Sequence, residues 1–135
     1  MKYLCLCYAD ERVLSALGQN GVDALRREAH VYLETLRESG RLLAVERLQS
    51  VRMAATVRVR NGRVYATDGP FAETKEQLGG FFLIEARDLN DAIQVATRWP
   101  PARLGSVEVR PVAGLGDSGA DGDFERGSRS ATAER

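Results

Sequence analysis

An α+β fold is predicted by three observations on this chain. The segments YLCLCY (residues 3–8) and GGFFLIEA (79–86) are apolar or aromatic on both alternating faces, which suits strands covered above and below. Two other segments place apolar residues at helical spacing, and the patterns follow the order strand, helix, strand, hairpin, strand, helix, strand. A length of 135 residues confines these elements to one domain with one core.

The first strand spans residues 2–8, with Tyr3, Cys5 and Cys7 on one face and Leu4, Leu6 and Tyr8 on the other. Asp10 caps a short helix through Leu17, closed by Gly18, and Asn20-Gly21 leads into a longer helix that ends at Gly40. Its inward stripe is Val22, Leu25, Ala29, Tyr32, Leu33 and Leu36. A second strand begins at Leu42 to Val45. Strands at Thr56–Arg60 and Arg63–Thr67 flank Asn61-Gly62, a strong two-residue hairpin signal. That register pairs Val59 with Val64 and Val57 with Ala66 on a core face, leaving Arg58, Arg60, Arg63 and Tyr65 on a basic face. After the strand at 79–86, a helix capped by Asp88 runs to Trp99, burying Leu89, Ala92, Ile93 and Ala96 until Pro100-Pro101 stops it. SVEVRPV is the last strand, and the domain occupies residues 1–112. The remainder, 113–135, is rich in Gly, Ser, Asp and Arg without a period and is expected to be disordered.

This order resembles a ferredoxin-like split βαβ with a hairpin insertion. Two helices cover only one face of its sheet, so the second apolar face needs another cover. A twofold homodimer packed sheet on sheet, a dimeric α/β barrel, supplies one.

Composition narrows the function classes. With 19 basic and 19 acidic side chains, the chain has no net charge to draw it to nucleic acid or an anionic membrane. No apolar run reaches the roughly 18 residues of a membrane span and no secretory leader is evident, so a cytoplasmic location is expected. Cys5 and Cys7 are two apart on one strand, about 7 Å between Cα atoms, at the limit for a disulfide. One histidine and two cysteines offer no zinc set, and neither a phosphate loop nor a redox-cofactor motif occurs, so no cofactor or metal is expected.

The run Asp68-Gly-Pro-Phe-Ala-Glu-Thr-Lys-Glu-Gln-Leu-Gly-Gly-Phe81 resembles the signature of the DGPF branch of the YCII-related proteins, and TVRVRNGRVYAT and GSVEVRPV around it are similar to that family as well. The resemblance covers about residues 1–112 and implies the same dimeric barrel. It also implies two competing roles. One is acid/base chemistry through a His-Asp pair, with REAHVYL supplying His30 and the signature supplying Asp68. The other is a non-enzymatic accessory protein that contacts an extracytoplasmic-function sigma factor.

The residues themselves keep alternatives open. His30 lies about 110° from the middle of the apolar stripe, at the rim of the core beside Arg26, Glu34 and Arg37. Histidine titrates near neutral pH, so this position serves either a proton-transfer group facing a cleft or a surface partner of Glu34 one turn on. Asp68 serves either as the carboxylate that orients an imidazole or as a turn residue before Gly69-Pro70. Glu73, Lys75 and Glu76 suit a polar ligand, in a loop that Phe71 and Leu78 pin to the core at its two ends; a plain Ω-like connection is the alternative. Arg58 and Tyr65 sit on a face suited to an anion or simply to solvent. The function expected is therefore binding of a small organic ligand between helix and sheet, with or without catalysis.

Overall fold

Strands β1 (Lys2–Ala9), β2 (Leu42–Arg47), β5 (Gln77–Glu85) and β6 (Gly105–Pro111) form one antiparallel sheet in the order β2-β5-β1-β6. Strands β3 (Ala55–Arg60) and β4 (Arg63–Asp68) form a separate two-stranded hairpin. The computed structural model describes residues 1–114, so the tail expected from 113 onward lies almost wholly outside the described residues.

All the buried packing is on one face of the sheet. Tyr3, Cys5, Phe82 and Ile84, each at most 2% exposed, meet α2 (Gly18–Glu38) and α3 (Leu89–Thr97) through Leu36, Ala92 and Val95. The expected α2 stripe is present: Ala29 and Leu36 are buried, and Tyr32 and Leu33 pack against the same cluster. Tyr32 donates its hydroxyl to the Val95 carbonyl at 2.7 Å, tying α2 to α3. On the other face, Leu4, Leu6, Phe81 and Leu83 share cross-strand pairs, and none of them is buried within the chain.

Several expectations need correction. The longer helix does not wait for Asn20-Gly21 but starts at Gly18, directly after α1 (Glu11–Ala16). Gly21 is needed for packing, since a Cβ there would stand 2.9 Å from the Leu17 Cβ. In α3 the buried residues are Ala92, Val95 and Ala96, while Leu89 and Ile93 are more than 40% exposed. The two alanines let the helix approach the sheet closely, which leaves the larger Leu89 and Ile93 on the outer ridge. The hairpin register holds pair for pair and Asn61 and Gly62 both take positive φ, but its apolar face is not core: Val57, Val59 and Val64 are each more than half exposed.

Cys5 and Cys7 are free thiols on the helix-facing side of β1. Burial raises both to about 12, and for Cys7 the neighbouring Cys5 adds to the effect. The unfolded thiols ionise first as pH rises past their ordinary range, so stability is lost on the alkaline side of about 9. Alkylation near pH 8 is expected to be slower by about a thousandfold in the folded chain than in the denatured chain. Mass spectrometry of iodoacetamide-treated protein measures this, and equal rates would contradict the burial.

Candidate functional site

A β-bulge opens the site. Cys7 of β1 pairs with Gly80 and Tyr8 with Leu78, so Gly79 is the extra residue. Next to it, a Cβ on Gly80 would lie 2.8 Å from the Glu46 carbonyl oxygen, so only glycine lets β5 and β2 close up here. Gly79 thus supplies the bulge and Gly80 the close approach of the two strands.

Above this end of the sheet lies a cleft of about 1140 Å³ between α2 and the strands. Its apolar lining includes Leu25, Leu33, Phe82 and Trp99. Trp99 follows the last turn of α3 and stands 5.0 Å from the Phe82 ring between centroids. Its indole N–H is shut off from solvent with no acceptor in reach. Cys7 also lines the cleft, but burial keeps its thiol protonated, which rules it out as a nucleophile near neutral pH.

The polar groups cluster on the rim. His30 and Arg26 stand four residues apart on α2, one turn of helix, and both line the cleft. Neither side chain makes a hydrogen bond or ion pair within the described residues. The partner expected for His30 is engaged elsewhere, because Glu34 pairs with Arg37. Opposite, Glu11 accepts from the Ser50 hydroxyl at 2.6 Å and the Val51 N–H at 3.0 Å. These bonds, the Ser50 hydroxyl foremost, hold its carboxyl below the usual range and fasten α1 to the turn after β2. Asp10, just before it, is 7% exposed and is likewise held low by Arg12, whose side chain and N–H donate to it.

The remaining candidates stand apart from this cleft. Asp68 is exposed at the base of the hairpin, in register with Ala55, and no hydrogen bond or ion pair joins it to His30. Within one chain the His-Asp pair is not assembled. Arg58 donates to the Phe71 carbonyl at 3.3 Å, and Tyr65 opposite it is 49% exposed. Glu73 and Lys75 are exposed in the loop, and Lys75 acts on the Asp10 carboxylate through its charge. Glu76 comes nearest, accepting from the hydroxyl of Ser106, a residue of the lining.

Phe71 does not pin the loop, being 78% exposed. Polar bonds order the loop instead: the Gln77 amide donates to the Ala72 and Thr74 carbonyls at 3.1 and 2.8 Å. Only the far end of the 68–80 segment, from Gln77 to Gly80, walls the cleft.

Sequence reasoning missed Arg26 and Trp99 as site residues. The signal for Arg26 was its spacing from His30. None marked Trp99, whose place depends on where the chain runs after α3.

The YCII-related domain family matches residues 1–115. An uncharacterized protein of Rhizobium meliloti (strain 1021) is 42% identical over 115 residues, covering 84% of this chain and 93% of the relative. Among solved structures, 5-chloro-2-hydroxyhydroquinone dehydrochlorinase of Burkholderia phenoliruptrix AC1100, in complex with 2,5-dihydroxybenzoquinone, is similar with a TM-score of 0.50 and 16% identity, covering 84% of this chain and 94% of that one. At that identity the likeness is one of fold. The expected link to a sigma factor finds no support in these similarities. Among the described residues no helix is long and apolar enough to cross a membrane, and no three His, Cys, Asp or Glu side chains group as a metal set.

Proposed function

The chain belongs to the YCII-related family, and on that premise we propose that its cleft binds a small organic anion with an apolar ring and exchanges a proton with it through His30. The observation that carries this reading is the pair His30 and Arg26, one turn apart on the rim of an apolar cleft and without partners of their own. A guanidinium there takes the anionic group, the imidazole reaches the same end of the ligand, and Leu33, Trp99 and Leu25 receive the ring. Asp68 is not required.

The Asp68–Phe81 signature supports placement in the DGPF branch, and the strand order β2-β5-β1-β6 supports the ferredoxin-like reading. The open face bearing Leu4, Leu6, Phe81 and Leu83 supports a homodimer packed sheet on sheet as a dimeric barrel. Two free thiols suit a reducing compartment such as the cytoplasm.

Trp99 makes the test direct, because it is the sole tryptophan and it lines the cleft. The probe is 2,5-dihydroxybenzoquinone, the compound bound in the structural neighbour, whose hydroxyls are acidic through conjugation with the carbonyls. Saturable binding is expected by calorimetry and by quenching of Trp99. Arg26→Gln should weaken binding about tenfold or more, as for loss of a charge-assisted hydrogen bond. Ala102→Trp, which fills the cleft, should abolish it, and His30→Gln should weaken it. Binding that is absent, or indifferent to Arg26→Gln and Ala102→Trp, would remove the reading.

A further inference from the structure

The cleft is larger than a single ring needs. At about 1140 Å³ it exceeds the roughly 300 to 1,000 Å³ of sites that hold drug-sized ligands. A ring anchored at Arg26 and His30 of α2 fills only part of it. Another part of the lining is built by Glu11 and Leu14 of α1 and by Leu48 and Ser50 after β2.

This second wall holds a carboxylate in a fixed place. The Ser50 hydroxyl gives its proton to Glu11 Oε1 at 2.6 Å and accepts from the Arg52 N–H at 3.2 Å, so its orientation is set. The Val51 N–H donates to the other oxygen, Oε2, at 3.0 Å. Each carboxylate oxygen has two lone pairs and uses one on these bonds, which leaves an acceptor position on each. Both bonds favour the charged form and hold the carboxyl below its ordinary range, so Glu11 is an anion at neutral pH. The charges acting on it from a distance, Arg52 and Asp10, are opposite in sign and offset each other.

The two walls therefore differ in sign. Arg26 and His30 suit a negative group and Glu11 a positive one, and neither α2 side chain pairs with Glu11. The other charged lining residues, Glu46 and Arg47, are neighbours of opposite sign on the edge strand β2 and add no net charge. A ligand with negative charge alone meets the Glu11 carboxylate at a cost. An ammonium offers that carboxylate three donors and the opposite charge.

We propose that the cleft takes a zwitterion, its anionic group at Arg26 and His30, its ring on the apolar lining, and a primary ammonium at the Glu11 carboxylate. This rests on the ligand reading above and adds the group at the other end of the ligand and its charge.

Three compounds of one shape test it. The probes para-(aminomethyl)benzoate, para-(hydroxymethyl)benzoate and para-ethylbenzoate differ only in the terminal group, an ammonium, a hydroxyl or a methyl. A second set, with a propanoate chain in place of the carboxylate, allows for a longer span between the walls. Calorimetry and quenching of Trp99 on the full chain give the dissociation constants. In at least one set the amine should bind about tenfold or more tighter than the ethyl compound, as for gain of a charge-assisted hydrogen bond, with the hydroxyl between them. Glu11→Gln should bring that ratio near one, and Ser50→Ala, which keeps the carboxylate but removes one of its holders, should reduce it. Arg26→Gln should weaken amine and ethyl compounds alike and preserve the ratio.

Equal binding of amine and ethyl compounds by the wild-type chain in both sets would overturn the proposal, and this comparison needs no variant. An advantage of the amine that survives Glu11→Gln would overturn it as well. A hydroxyl compound bound as tightly as the amine would overturn the positive charge assigned to the ligand. Ethyl compounds that bind through Arg26 while the amine gains nothing would leave the ring-anion reading standing alone, and binding by none of the compounds would overturn both.

Discussion

Phe82→Ala is expected to lower the unfolding free energy by about 3 to 5 kcal/mol, the range for removing a fully buried aromatic ring. Phe82 is wholly buried, packs on Trp99, and sits in the central strand pair of the sheet, opposite Cys5 of β1. Alanine leaves a void between strand and helix that the surrounding β-sheet cannot collapse to fill. Against a typical stability of about 5 to 15 kcal/mol this is a large share, and urea titration measures it directly. Phe81→Ala is the informative companion, since that ring lies on the open face and is only half-buried within the chain. A small loss is expected in dilute solution where chains separate, and a loss rising toward that of Phe82→Ala where they associate. A loss for Phe82→Ala below about 1 kcal/mol would contradict the core described here.

Gly105→Ala should have the second largest effect, a loss of about 2 to 3 kcal/mol from overpacking against backbone. A Cβ at this position would stand 2.1 Å from the Tyr8 carbonyl oxygen and 3.2 Å from the Ala9 Cα, so the start of β6 must move away from β1. No rotamer relieves this, because both neighbouring atoms belong to the main chain. The displacement also reaches the site, since Ser106 and Val107 line the cleft and Ser106 holds Glu76. Calorimetric melting should show a clear drop for Gly105→Ala and a much smaller one for Ser106→Ala, which removes one exposed hydrogen bond. Equal melting temperatures for wild type and Gly105→Ala would show that the strands are further apart than described.

Much of the architecture was legible without coordinates, for local reasons. Side chains on a strand alternate with period two, so YLCLCY and GGFFLIEA declared their two apolar faces. Asn61-Gly62 imposes a turn of positive φ, and that alone set the hairpin register from Ala55–Asp68 to Arg60–Arg63. Helical spacing likewise put His30 at the rim of the α2 stripe, where it lines the cleft. The site was less legible: Arg26 was visible only as a neighbour of His30, and Trp99 only as the end of a helix.

What the sequence determined by itself, then, is which residues share a face and which faces are apolar, because both follow from backbone periods a few residues long. Which faces are covered was decided by tertiary structure. Hydrophobic attraction has no direction: the pattern marks Val57, Val59 and Val64, or Leu89 and Ile93, or Phe71, as apolar without naming a surface to meet them. The same limit separated Asp68 from His30. Their closeness depends on how a hairpin leaves the sheet and where a helix crosses it, a long-range geometry in which the spacing of residues along the chain has no part.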